Sequence, residues 1–161
     1  MRIAVRAARN EEAGTVASLV NAINSLDGGR PEVPMTAEAV RRDLLGPAPL
    51  ATLLVGTVNG ALRGFATGNL IYDAERGAPA MFLLDLYVAP ESRRHGLGRA
   101  LMAGLAAEGQ RCGARCLWWG VDEGDDEARM FYDAIGARAE GQFTGMILHG
   151  PRFSKLAAEA E

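Results

Sequence analysis

Chemistry concentrates between Arg93 and Arg99. Gly96 and Gly98 strip side chains from a stretch that Arg93, Arg94 and Arg99 surround with positive charge. The run ahead of it, Ala80 to Val88, is apolar apart from Asp85, the pattern of a central strand covered on both faces. Beyond it Leu97, Leu101 and Leu105 recur every four residues with Ala100 beside them, which is helical spacing. A strand that passes through a short loop into a glycine-opened helix presents N–H groups with no intrahelical partner, at the positive end of the helix dipole. Such a junction can cradle a phosphate or pyrophosphate. A plain turn with solvated arginines is the alternative, and two glycines, three arginines and a buried strand together favour the anion site.

The spacing narrows the choice of anion. The third glycine of a dinucleotide fingerprint is replaced by Leu101, and a Walker A loop is excluded because Lys155 is the chain's one lysine. Arg93-x-x-Gly96-x-Gly98 instead resembles the Arg/Gln-x-x-Gly-x-Gly/Ala motif of the GNAT superfamily of N-acetyltransferases. The resemblance runs from about Met81 to His149 and, more weakly, to the N-terminus. It is nearest in look to the diamine (spermidine/spermine-type) acetyltransferases, through Asp85-Leu86-Tyr87-Val88 and Phe131-Tyr132-Asp133-Ala134-Ile135-Gly136-Ala137.

That resemblance implies acetyl-coenzyme A as acyl donor and a primary amine of a small molecule as acceptor, joined by direct transfer in a ternary complex without a metal. It implies that Arg93, Arg94, His95, Gly96, Leu97, Gly98 and Arg99 hold the pyrophosphate, His95 through its backbone N–H. Backbone groups of Leu86, Tyr87 and Val88 would bind the pantetheine arm and polarise the carbonyl. Tyr132 would be the general acid: a phenol with an ordinary pKa of about 10 is protonated at neutral pH and can give its proton to a departing thiolate. Taken on its own, Tyr132 sits on an apolar helix face and reads as a packed residue.

Two positions depart from the family pattern. The glutamate that diamine acetyltransferases carry before the strand aspartate is Leu84 here, so no general base is carried over. The asparagine expected seven residues before the tyrosine, a cofactor contact, is Asp125, which when ionised accepts hydrogen bonds but does not donate them. Asp85, a charge in an apolar strand, must be paired or functional. An arginine partner and a contact to a cationic amine or to its proton through water are equal readings.

The rest of the chain must position these groups. Residues 2–8 alternate as a strand, and Asn10 is a candidate cap for a helix with Glu11 and Glu12 in its first turn and Val16, Leu19, Val20 and Ile23 on one face. That helix is predicted to stop before Gly28-Gly29. Thr36 is a second cap candidate, with Val40 and Leu44 four apart and Gly46-Pro47 as the stop. The loop from Ser25 to Pro34 carries Asp27 and Glu32, which with Asp73 and Asp85 hint at a cationic acceptor. Thr52–Val58 and Ala61–Leu70 are strands joined by Asn59-Gly60, a strong hairpin signal. A helix is predicted over 97–111, a strand over 115–121, a helix from about Asp126 to Ile135, and a closing hairpin from Ala137–Glu140 and Phe143–His149.

This order is mixed α/β (α+β). It matches the fold the resemblance implies, a twisted, mixed, mostly antiparallel sheet of about seven strands with helices on both faces. Residues 1–153 read as one N-acetyltransferase domain and 154–161 as a flexible tail. At 161 residues the chain can bury a real core, and its net charge of −3 argues against broad nucleic-acid or anionic-membrane binding. No run reaches transmembrane length and the N-terminus lacks a signal-peptide core, so a cytoplasmic protein is expected. Cys112 and Cys116 read as buried free thiols. A homodimer is one arrangement the family allows. The competing functions are a non-catalytic acyl-coenzyme A sensor and a protein or peptide N-acetyltransferase.

Overall fold

The computed structural model describes residues 1–26, 28–29 and 31–160; Asp27 lies outside the described residues. The chain forms two compact units, Met1–Asp122 and Glu123–Glu161.

In the first unit, β1 (Ile3–Ala7), β2 (Thr52–Val58), β3 (Ala61–Asp73), β4 (Ala78–Val88) and β5 (Leu117–Trp118) form one sheet in sequence order. The first four strands pair antiparallel, and β5 pairs parallel to β4. The β2–β3 turn is the predicted hairpin: Asn59 and Gly60 take φ +50° and +86°, the left-handed pair a twisted two-residue turn requires.

One face of the sheet is covered by α1 (Ala13–Ile23) and by α2 (Ala37–Ala39), which continues as a wider turn over Val40–Leu44. Val16 and Val40 there pack with Leu53, Val55, Phe65 and Tyr87. Thr36 caps α2 as predicted, accepting the Ala39 N–H at 3.1 Å. Asn10 does not cap α1. It opens a short 3₁₀ turn whose cap position is Arg9, and Glu12 accepts the Arg9 N–H at 2.8 Å while binding the Arg6 guanidinium at 2.6 and 2.8 Å.

The other face carries α3 (Leu97–Arg111), which keeps the predicted span. Its buried stripe of Leu97, Leu101 and Leu105 lies on Gly56, Gly64 and Gly68. A β-carbon on Gly56 would stand 2.6 Å from Leu97 Cδ1, and one on Gly68 would stand 3.1 Å from Leu105 Cδ1. The helix reciprocates: a β-carbon on Gly104 would meet Val5 Cγ1 at 2.8 Å, and one on Gly109 would meet Met81 Cβ at 2.9 Å. Glycine weakens an isolated strand or helix. Here it sets how closely α3 approaches the strands and so where the helix begins.

The second unit contains α4 (Asp126–Ala134) and α5 (Gly150–Ala157). The predicted closing hairpin is not formed: residues 137–149 have no regular structure, and among the described residues five strands stand where about seven were expected. Helix α5 occupies part of the segment read as a tail. Its opening proline is pre-set for a helix start. Cys112, beyond the end of α3, is exposed and Cys116 is half-buried, both as free thiols, so the expected burial does not hold. Among the described residues no helix is long and apolar enough to cross a membrane.

Candidate active site

Strand β4 delivers the candidate residues in one continuous path. Its register against β3 slips once: Thr67 faces Asp85, but Gly68 faces Leu83, so Leu84 has no partner and forms a bulge. The slip breaks the alternation. Leu84 and Asp85 are both exposed, Leu84 to 46%, whereas Leu83 and Tyr87 are buried. The run read as covered on both faces is therefore open at its middle, and the charge of Asp85 costs little there. The arginine partner does not occur among the described residues. Asp85 Oδ2 instead accepts a 2.6 Å hydrogen bond from the hydroxyl of Thr67, which is buried. Thr67 was missed at the sequence level. Its neighbour Gly68, isolated in a strand pattern, was the available sign of a bulge.

Pairing between β4 and β5 covers Met81–Leu117 and Phe82–Trp118, where the Phe82 and Trp118 rings stack at 5.2 Å. Residues 86–88 lie beyond that ladder and pair with β3 on their other edge. Leu86 and Val88 are half-buried and Tyr87 is buried against Phe65, ring centroids 6.3 Å apart.

From Val88 the chain makes a 3₁₀ turn (Pro90–Ser92) and enters the 93–99 segment. Arg93 turns back on the strand: its Nε donates to the Val88 carbonyl at 3.0 Å, and its guanidinium carbon stands 6.0 Å from the centre of the Tyr87 ring. It thereby ties the loop to β4. Arg94 and His95 are exposed, with Arg94 held at φ +63°, a left-handed conformation that costs a non-glycine on the order of 1 kcal/mol. Gly96 is the N-cap of α3 at φ +89° and makes no side-chain cap. Leu97 is buried beneath the helix, so only its backbone faces the turn; Gly98 is half-buried and Arg99 exposed. The turn is thus a strained, side-chain-poor helix opening edged by arginines, which suits a pyrophosphate.

In the second unit, Asp125 and Tyr132 belong to one helix. Asp125 is the N-cap of α4, its Oδ1 accepting the Ala128 N–H at 3.0 Å. That role was legible from an aspartate ahead of Asp126 and Glu127 and was missed. Tyr132 is half-buried beside Phe131, with ring centroids 5.1 Å apart. Burial, and secondarily the negative charge of Asp125, push its phenol above the usual tyrosine value. It therefore keeps its proton throughout the neutral range.

The family described as "Acetyltransferase (GNAT) family" matches residues 17–137, and the chain belongs to it. It is an N-acetyltransferase, and its acyl donor is acetyl-coenzyme A. The chain is similar to thialysine N-epsilon-acetyltransferases: 28% identical to that of Caenorhabditis elegans over 92% of this chain and 93% of the relative, and 24% identical to that of Bos taurus over 84% of each. Among solved structures it shares its fold with AAC(6')-Iy in complex with the bisubstrate analog CoA-S-monomethyl-acetylneamine, at a TM-score of 0.74 and 18% identity over 93% of this chain and 100% of that one.

Proposed function

We propose that this acetyltransferase acetylates the primary amine of a small, positively charged molecule by direct transfer in a ternary complex. The observation that carries the reading is the position of Asp85. It is exposed at the bulge and stands three residues before Val88, roughly 10 Å along an extended strand. An acceptor ammonium drawn to Asp85 would meet the acyl end of a donor lying along Leu86–Val88, with its pyrophosphate at Arg93–Arg99. The similarity to thialysine N-epsilon-acetyltransferases supports an acceptor of this kind.

In the reaction, the ammonium drawn to Asp85 first gives one proton to water, and the resulting neutral amine nitrogen attacks the thioester carbonyl carbon. The C–N bond forms, the C–S bond breaks, the nitrogen loses a second proton to water, and the coenzyme A thiolate takes one from Tyr132, which solvent restores. Backbone N–H groups of β4 polarise the carbonyl, and arginines 94 and 99 with the opening amides of α3 hold the diphosphate. Arg93 braces the turn. Asp125 fixes the start of the helix that bears Tyr132. With Leu84 at the family's glutamate position, the acceptor's proton leaves through water, so acceptors of lower amine pKa turn over best. Residues 1–153 work as one domain, in the cytoplasm, on small molecules rather than nucleic acid or membrane, alone or as a homodimer.

The test is thiol release from acetyl-coenzyme A with thialysine, spermidine, neamine and a short peptide as acceptors. The reading expects the small cationic amines to give the highest kcat/KM. Preference for the peptide would make it a protein N-acetyltransferase, and coenzyme A binding without thiol release from any acceptor would make it a sensor.

A further inference from the structure

We propose that Thr67 is the positioning residue of the acceptor site, holding Asp85 so that one carboxylate oxygen is presented to the incoming ammonium. The inference rests on the reading of Asp85 as the acceptor contact. An exposed aspartate on a bulge has several staggered rotamers open to it, and an ammonium drawn to a wandering carboxylate arrives in many poses. Transfer needs one pose. Thr67 removes this freedom: its hydroxyl donates to Oδ2 at 2.6 Å, a short, charge-assisted bond, and leaves Oδ1 for the acceptor.

The anchor is firm because Thr67 is buried and β-branched. It stands on the strand face that carries Phe65 two residues earlier, as Asp85 stands with Tyr87, and the register pairs Thr67 with Asp85 as it pairs Phe65 with Tyr87. A β-branched side chain in a packed strand has little rotational freedom, so its hydroxyl is a fixed donor. The bulge contributes too. Its slip comes immediately after this pair, between Thr67 and Gly68, and leaves Leu84 exposed beside Asp85. The carboxylate therefore stands exposed beside an exposed leucine, open to an approaching ammonium.

The experiment measures thiol release with thialysine, and with spermidine and neamine, for four forms of the protein: native, Thr67→Val, Asp85→Asn and the double variant. Thr67→Val keeps shape and branching and removes the donor. It is expected to raise KM for the acceptor about tenfold with KM for acetyl-coenzyme A unchanged, and to have no further effect in the Asp85→Asn background. Thr67→Ser, which restores the hydroxyl, is expected to recover the acceptor KM, and comparison of Ser with Ala isolates the hydroxyl if the valine variant does not fold. An equal effect of Thr67→Val with and without Asp85, or a rise in both KM values together, overturns the inference and leaves the acceptor reading standing. If Asp85→Asn leaves acceptor KM unchanged for all three amines, or none is acetylated, the acceptor reading fails and the inference with it.

Discussion

Gly64 lets the backbone of Tyr87 come close: a β-carbon at position 64 would stand 2.6 Å from the Tyr87 carbonyl oxygen, and 3.3 Å from Leu101 Cδ1. Both neighbours are fixed, one as strand backbone and the other as buried core. The Leu86–Val88 stretch of β4 and the seat of α3 therefore depend on one missing side chain. Gly64→Ala is expected to lose about 2 to 3 kcal/mol of stability. Gly14→Ala, in α1 with nothing within 4 Å of its added β-carbon, is expected to gain up to about 1 kcal/mol. Denaturant unfolding of the two variants checks the contrast, and equal losses would contradict it.

The Arg6–Glu12 pair ties β1 to the turn before α1. Hydrogen bonds from the Arg6 guanidinium first, and from the Arg9 N–H, against the opposing cost of burial, hold the Glu12 carboxyl down at about 2, from an ordinary 4.5. A carboxyl depressed by folding contributes stability that is complete above its unfolded value and lost as pH falls towards its folded one. The pair is partly solvated, so its worth is on the order of 1 to 2 kcal/mol. Glu12→Gln should flatten the loss of stability between pH 5 and about 2, measured by urea melts across that range. A variant as acid-sensitive as the native protein would show that the pair contributes nothing.

Asp125 has two separable effects on α4. Asp125→Ala removes the cap and should cost about 1 kcal/mol, whereas Asp125→Asn keeps an acceptor for the Ala128 N–H and should cost less. Both remove the negative charge that helps to raise the Tyr132 phenol, so both should lower its titration midpoint, leaving the larger effect of burial in place. Ultraviolet titration of tyrosine ionisation, assigned with Tyr132→Phe, reads this directly. An unmoved midpoint would rule out the charge effect.

Arg94 is exposed and makes the turn's positive edge. Arg94→Gln is expected to raise KM for acetyl-coenzyme A roughly tenfold at low ionic strength, with the effect shrinking as salt screens the charge. A rise confined to the acceptor KM would place the donor elsewhere.

The strand, turn and helix around residues 93–99 were readable because glycines and four-residue leucine spacing are local signals. The Asn59-Gly60 hairpin and the full span of α3 were legible for the same reason. What stayed hidden depends on register. The bulge at Leu84, the pairing of Thr67 with Asp85 and the bed of Gly56, Gly64 and Gly68 beneath α3 exist only once strands are aligned, and an apolar run such as Ala80–Val88 conceals a slip because most of its residues look alike. The closing hairpin failed for the opposite reason: the apolar character of Phe143–His149 is a local preference, and the chain there forms no ladder.

The most direct test of the account is calorimetric titration of coenzyme A into the native protein and into Gly98→Trp, with both melting curves recorded. The strand–turn–helix site predicts binding to the native protein and at least a tenfold loss in the variant, where an indole stands against the opening amides of α3 while the fold still melts cooperatively. Equal affinity in the two proteins would contradict it.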